Sequence, residues 1–175
     1  MSNIQYVTQM IRVQPICDAE PLMCNVNVDT RIKAAGGRAA FGWKVQHDYV
    51  NDGLSNHCVW ESPEGELVDV TPDYAGMEGD YAVIEWPTET EFVRDDAAVF
   101  TGRSLPTRYV PTRPGNAIAK ACEFMTIADE CLRRDDLERC RYWTNRANRA
   151  GKKAGVLWPT PDSTDLRDVL KTRLA

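Results

Sequence analysis

Three side chains in this 175-residue chain combine into a candidate acyl-transfer centre: Cys24, His57 and Asp69. A cysteine attacks only as its thiolate, and a free thiol keeps its proton to about pH 8.5, so it needs a neighbouring base or a positive environment. An imidazole is that base, and a carboxylate behind it fixes the ring's tautomer and orientation. His57 is one of two histidines; the other, His47, follows a strand end and reads as a surface residue. Asp69 interrupts the β-favouring run Leu67-Val68-Asp69-Val70-Thr71, where an aspartate is disfavoured and wants a reason.

The turn between them decides whether His57 and Asp69 meet. Ser62-Pro63-Glu64-Gly65 separates His57-Cys58-Val59-Trp60-Glu61 from Glu66-Leu67-Val68-Asp69-Val70-Thr71. Pro63 suits position i+1 of a type I turn, and Gly65 suits the left-handed residue of the bulge that follows. This three-residue loop predicts that Ser62 pairs with Glu66 and that Val59 faces Asp69. His57 and Asp69 then share a face as diagonal neighbours, about 7–8 Å apart between backbones, within reach of an imidazole. Glu61 and Thr71 make that face polar, while Cys58, Trp60, Val68 and Val70 form an apolar one.

Cys24 follows a loop bracketed by Pro15 and Pro21. Val28, Ile32 and Ala35 then recur at helical spacing, and Gly36-Gly37 stops the helix, which puts Cys24 at or just before its first turn. Docked on the polar face of the hairpin, the helix N-terminus would favour the thiolate through its free N–H groups and its dipole. The backbone N–H of Cys24 is the expected oxyanion donor, with Gln14 or Asn25 adding a side-chain amide. Trp43 and Trp60 are expected to line a substrate groove.

The remaining elements follow from the same periodicities. Strands are expected over 4–13, over 39–46 (Phe41, Trp43 and Val45 alternate with small or polar residues), over 81–86, 91–93 and 97–100, and Asn51-Asp52-Gly53 reads as turn-rich. Prolines 106, 111 and 114 mark a linker. Beyond it, Ile118, Ala121, Cys122, Met125, Ala128 and Leu132 form one helical stripe. A second runs through Leu137, Cys140, Trp143 or Thr144, and Ala147, with Asp135-Asp136 as the break. A short last helix is expected from Ser163. The organisation is therefore an α+β core over residues 1–112 and a helical extension over 115–175.

Composition narrows the class. With 43% hydrophobic residues the chain can bury a core. No run of about 18 apolar residues exists, so no membrane span is expected. The first residues lack a signal-peptide pattern, and the six cysteines are irregularly spaced, so reduced thiols and a cytoplasmic location are expected. Cys58, Cys122, Cys131 and Cys140 read as core filler. The net charge of −5 divides into −8 over residues 1–114 and +3 over 115–175, and the acidic first part argues against nucleic-acid binding. Arg133, Arg134, Arg139, Arg141, Arg146, Arg149, Lys152 and Lys153 could dock an acidic partner; a solvated face with pairs such as Asp136–Arg139 is the plainer reading. Cys17, Cys24, His47, His57 and Cys58 lack zinc-site spacing, and neither a metal nor an organic cofactor is implied.

Cysteine at a helix start, then histidine on one strand and an acidic residue on the next, resembles the chain order of papain-like thiol hydrolases. The compact branches are most similar: NlpC/P60 peptidases, transglutaminase-like proteins and arylamine acetyltransferases. The likeness covers roughly residues 20–75. It implies a papain-like core of one helix on an antiparallel sheet, with Cys24, His57 and Asp69 as the catalytic set and a peptide or protein among the substrates. The expected function is hydrolysis or acyl transfer at an amide, peptide or ester bond. The alternative is a non-catalytic protein-binding or structural domain.

Overall fold

The structure, a computed structural model, describes residues 7–14, 16–47, 51–78, 81–99, 105–112 and 115–155. The helix expected from Ser163 lies outside them. The described residues are α+β: a five-strand mixed β-barrel and three helices, the last two packed together. Among the described residues, those up to Arg108 form one compact unit, apart from Asn51; Asn51 and the residues from Tyr109 onward belong to a second.

The barrel is built from β1 (Gln9–Val13), β2 (Arg38–His47), β3 (Asn51–Glu61), β4 (Leu67–Asp69) and β7 (Glu89–Arg94). Its strand order is β2-β7-β1-β4-β3, and a β2–β3 pairing closes the ring. The helix α1 (Cys24–Ala35) lies between β1 and β2 in the chain, and a separate two-stranded sheet joins β5 (Asp73–Glu78) to β6 (Tyr81–Glu85). A sheet wholly antiparallel was expected. Instead β1 and β4 run parallel, with Arg12 opposite Val68 and Val13 opposite Asp69. The long return through α1, β2 and β3 permits this, because parallel neighbours need a crossover of a dozen residues or more.

Three local expectations are overturned. Asn51-Asp52-Gly53 is the beginning of β3, whose ladder with β2 runs unbroken from Arg38–Glu61 to His47–Asp52; tertiary pairing overrides the turn propensity of those residues. No strand occupies 97–99. Asp95 turns the chain there, its Oδ1 accepting from Ala97 N at 3.1 Å while Ala98 N donates to the Asp95 carbonyl at 2.8 Å. A four-residue strand, β8 (Arg108–Pro111), lies inside the stretch read as linker.

Each barrel-strand face has its own apolar cluster. Ile11, Ala40, Val59 and Phe92 fill the interior, with Leu67 against them. Cys24, Val28, Cys58, Trp60, Val68 and Val70 form the outer cluster beneath α1, joined by Ile16, Ile32, Ala39 and Phe41. Close packing sets the closure of the ring at Gly42, where a Cβ would stand 2.0 Å from the Val93 carbonyl oxygen. All six cysteines are free, and no helix among the described residues is long and apolar enough to cross a membrane.

In the second unit α2 (Asn116–Arg133) packs along α3 (Leu137–Lys153). Small buried residues form the seam, Ala121, Cys122 and Ala128 on α2 with Cys140, Ala147 and Gly151 on α3, which lets the backbones approach closely. Asp135 adopts a left-handed φ of 60° and Asp136 caps α3 by accepting from Arg139 N at 3.1 Å.

Candidate active site

The hairpin has the register that its turn residues demand. Gly65 N donates to the Ser62 carbonyl at 2.9 Å, closing the turn, and Gly65 has φ of 88°. Ser62 N donates to the Glu66 carbonyl at 2.9 Å, and Glu61–Leu67 and Trp60–Val68 follow as partners. Continued by one residue, the register sets Val59 level with Asp69. His57 therefore shares a face with Asp69, and its Nε2 lies 2.9 Å from Asp69 Oδ2.

Cys24 is the first residue of α1, and no side chain caps that helix end. The helix does not dock on the polar face, as the sequence reading expects. Val28 and Ile32 instead lie against Cys58, Trp60, Val68 and Val70, because only the apolar face of the hairpin repays burial of an apolar helix stripe. Cys24 packs with Cys58 in this cluster, where the side chain of His57 and the backbone N–H of Cys58 lower the proton affinity of its thiol. The short β4 ends at Asp69, level with Val59, so it does not cover the β3 backbone at Cys58. Since His57 Nε2 faces Asp69, Nδ1 is the nitrogen left for the thiol.

The three groups are polarised as a charge chain. Burial presses the Cys24 thiol upward, but the influence of His57 and of the Cys58 N–H outweighs it, and the thiol sits below its ordinary value. Burial likewise opposes the imidazolium, yet the charge and hydrogen bond of Asp69, with Cys24 adding to them, hold His57 up at about 10. Asp69 is fully buried; against that burial, His57, Lys44 and the Thr71 N–H keep its carboxyl below the usual 3.8. Its Oδ1 accepts from Thr71 N at 3.0 Å. Cys58, although adjacent to Cys24, is pushed up to about 12 by burial and by the charges of Cys24 and Asp69. At neutral pH His57 is thus an imidazolium with Asp69 charged behind it, and that pair eases the loss of the proton from Cys24.

No family model, curated protein or solved structure matches this chain. The chemistry of the site must be read from its own geometry.

The weaker site expectations fare differently. Trp60 is core: 6% exposed, it donates from Nε1 to the Gly36 carbonyl at 2.8 Å and carries the Arg31 guanidinium over its ring. Trp43 is 3% exposed, donates to Asp95 Oδ2 at 2.9 Å and is covered by Arg108. Neither lines a groove; large indoles that find a polar partner for their N–H are favoured in the core. Asn25 is exposed on the first turn of α1, next to Cys24. Gln14 is half-buried and binds through its backbone, N donating to the Asp69 carbonyl at 2.9 Å. Asn27, absent from the sequence reading, ties the loop before α1 to the residue pair just past β4: Nδ2 donates to the Glu20 carbonyl at 2.8 Å and to Thr71 Oγ1 at 3.3 Å. That brings the Cys24 end of the helix and the Asp69 end of β4 together. Lys44 was also missed, since a strand lysine ordinarily signals a wet face.

Four of the eight basic helical residues have partners within the second unit. Arg133 pairs with Asp129 at 2.7 Å, Arg134 pairs with Glu130, and Arg139 approaches Asp136 at 3.6 Å. Arg146 lies over the rings of Phe124, Tyr142 and Trp143, between 4.8 and 5.7 Å from their centroids. Such intrahelical pairs and stacked guanidinium groups describe a solvated helix face.

Proposed function

We propose that the protein is a cysteine-nucleophile hydrolase or acyltransferase acting on an amide, peptide or ester carbonyl. The observation that carries the reading is the hydrogen bond between His57 Nε2 and the buried Asp69 Oδ2, 2.9 Å apart, with the Cys24 thiol near enough to the imidazole for His57 to lower its proton affinity. A structural role alone is a weak reason for this arrangement, because burying a carboxylate and an imidazolium costs several kcal/mol per ion, roughly, before any pairing is counted.

In this mechanism the Cys24 thiolate attacks the carbonyl carbon, and the oxygen takes the negative charge. The uncapped N–H groups at the start of α1 are the donors nearest to hand for that oxyanion. His57 gives its proton to the leaving amine or alkoxide, and the acyl group remains on Cys24 as a thioester. Water or an acceptor nucleophile then attacks the thioester while His57 takes its proton. Asp69 stays ionised throughout and holds the ring in place. The order of helix-borne cysteine, strand-borne histidine and acidic residue on the following strand supports a papain-like assignment of the core.

Iodoacetamide labelling at neutral pH, with peptide mass spectrometry, tests the reading. Cys24 should label first, ahead even of the exposed Cys17, and His57→Ala should abolish that preference. A Cys24 that labels more slowly than Cys17, with or without His57, would remove the nucleophile from the proposal.

A further inference from the structure

Lys44 is 7% exposed on β2, a position where a lysine normally sends its ammonium to water. Gly42, two residues before it, is the register partner of His57, so Lys44 and His57 are diagonal neighbours on the inner face of the barrel. Lys44 Nζ lies 3.4 Å from Asp69 Oδ2, the same oxygen that faces His57 Nε2, and Lys44 also pairs with Asp73 at the start of β5. Asp73 is the half-exposed end of the chain, its side chain 36% accessible. From His57 outward the charges therefore alternate in sign, His57, Asp69, Lys44 and Asp73, with the Cys24 thiol at the inner end. Cys58 is the remaining titratable group against Cys24, and it is neutral.

Stability by itself is a poor explanation for Lys44, because an apolar residue of similar volume commonly serves as well as a buried ion pair. We propose that Lys44 is a positioning residue of this site, its ammonium clamping Asp69 Oδ2 and setting the electrical potential in which Cys24 and His57 exchange their proton. Asp73 tunes the clamp from its outer side. The inference rests on the thiol-nucleophile reading above.

The sign of each perturbation is fixed by charge. Loss of a buried cation raises the proton affinity of every nearby group, and loss of an anion lowers it. The pH profile of iodoacetamide alkylation at Cys24 reads this directly, on the full chain, with thermal unfolding of each variant as the check on folding. Lys44→Met should move the lower limb of the profile up by about half a pH unit or more. Lys44→Arg, which keeps the charge, should restore it, and Asp73→Asn should move it down. A purely structural lysine would not produce shifts of opposite sign. Folded Lys44→Met and Asp73→Asn proteins with the wild-type limb would overturn the proposal. Should Lys44→Met not fold, Asp73→Asn decides alone, an unmoved or raised limb counting against the clamp. A wild-type Cys24 with an ordinary thiol limb, indifferent to His57→Ala, would instead bring down the nucleophile reading, and the clamp with it.

Discussion

Asp69→Asn isolates the electrostatics of the site, since the amide has the shape of the carboxylate and none of its charge. The imidazole of His57 stands at about 10 against an ordinary 6.5, which at about 1.36 kcal/mol per pH unit is about 5 kcal/mol in favour of the imidazolium. Burial works against that value, and Asp69 is the largest contribution in its favour. Without Asp69 the imidazole should fall by about three pH units or more, to neutrality or below. The direct repulsion of Asp69 on the Cys24 thiolate disappears too, but it is the smallest influence on that thiol, whereas His57 dominates its lowering. The net effect is a weaker thiolate. Alkylation of Cys24 at pH 7 should slow about tenfold or more, with the inflection moving toward the free-cysteine value near 8.5. Breaking a buried ion pair costs about 3–5 kcal/mol, within the 5–15 kcal/mol or so of a typical domain, so the variant should still fold. The stability difference has its own pH signature. A carboxyl held below 3.8 adds stability that is present above that pH and lost as the pH falls through its lower folded value. The melting temperatures of wild type and Asp69→Asn should therefore converge below about pH 3.8. A folded Asn variant whose Cys24 keeps the wild-type rate and inflection would refute the reasoning, because His57 would then owe its charge to something else.

Two backbone positions yield further tests. Gly65→Ala should lower stability by about 1 kcal/mol, seen as a melting shift of a few degrees, because its φ of 88° is costly for a residue with a Cβ although no atom lies within 4 Å of one; an unchanged melt would mean that the turn does not need its glycine. Gly42→Ala should do far more, since its Cβ would meet the Val93 carbonyl oxygen at 2.0 Å and the Phe92 ring at 2.6 Å. Loss of cooperative unfolding by circular dichroism is the expected result, and a native-like melt would contradict the β2–β7 closure.

Much of the site's geometry was legible in local chemistry. Pro63 and Gly65 select one turn, the turn selects the register, and a period of two then puts His57 and Asp69 on one face, whatever the rest of the chain does. Gly36-Gly37 ends α1, and the apolar spacing of Val28 and Ile32 makes Cys24 its first residue. These features depend on neighbours close along the chain, so a sequence can specify them. Which face of the hairpin α1 would cover was not legible. The polar face carrying His57 and the apolar face carrying Cys58 were both available, and the choice follows from the area that Val28 and Ile32 bury against Trp60, Val68 and Val70.

The parallel pairing of β1 with β4, the closing of β2 onto β7, and the burial of Lys44, Trp43 and Trp60 likewise belong to the tertiary structure alone. A lysine between Trp43 and Val45 reads as the wet side of a strand until a barrel closes over it, and an indole reads as a groove wall until Arg31 or Arg108 covers it. Periodicity tells which side chains share a face. Only the packing of distant segments decides which face is inside, and in this protein that decision turns a polar strand face into a buried chain of charges.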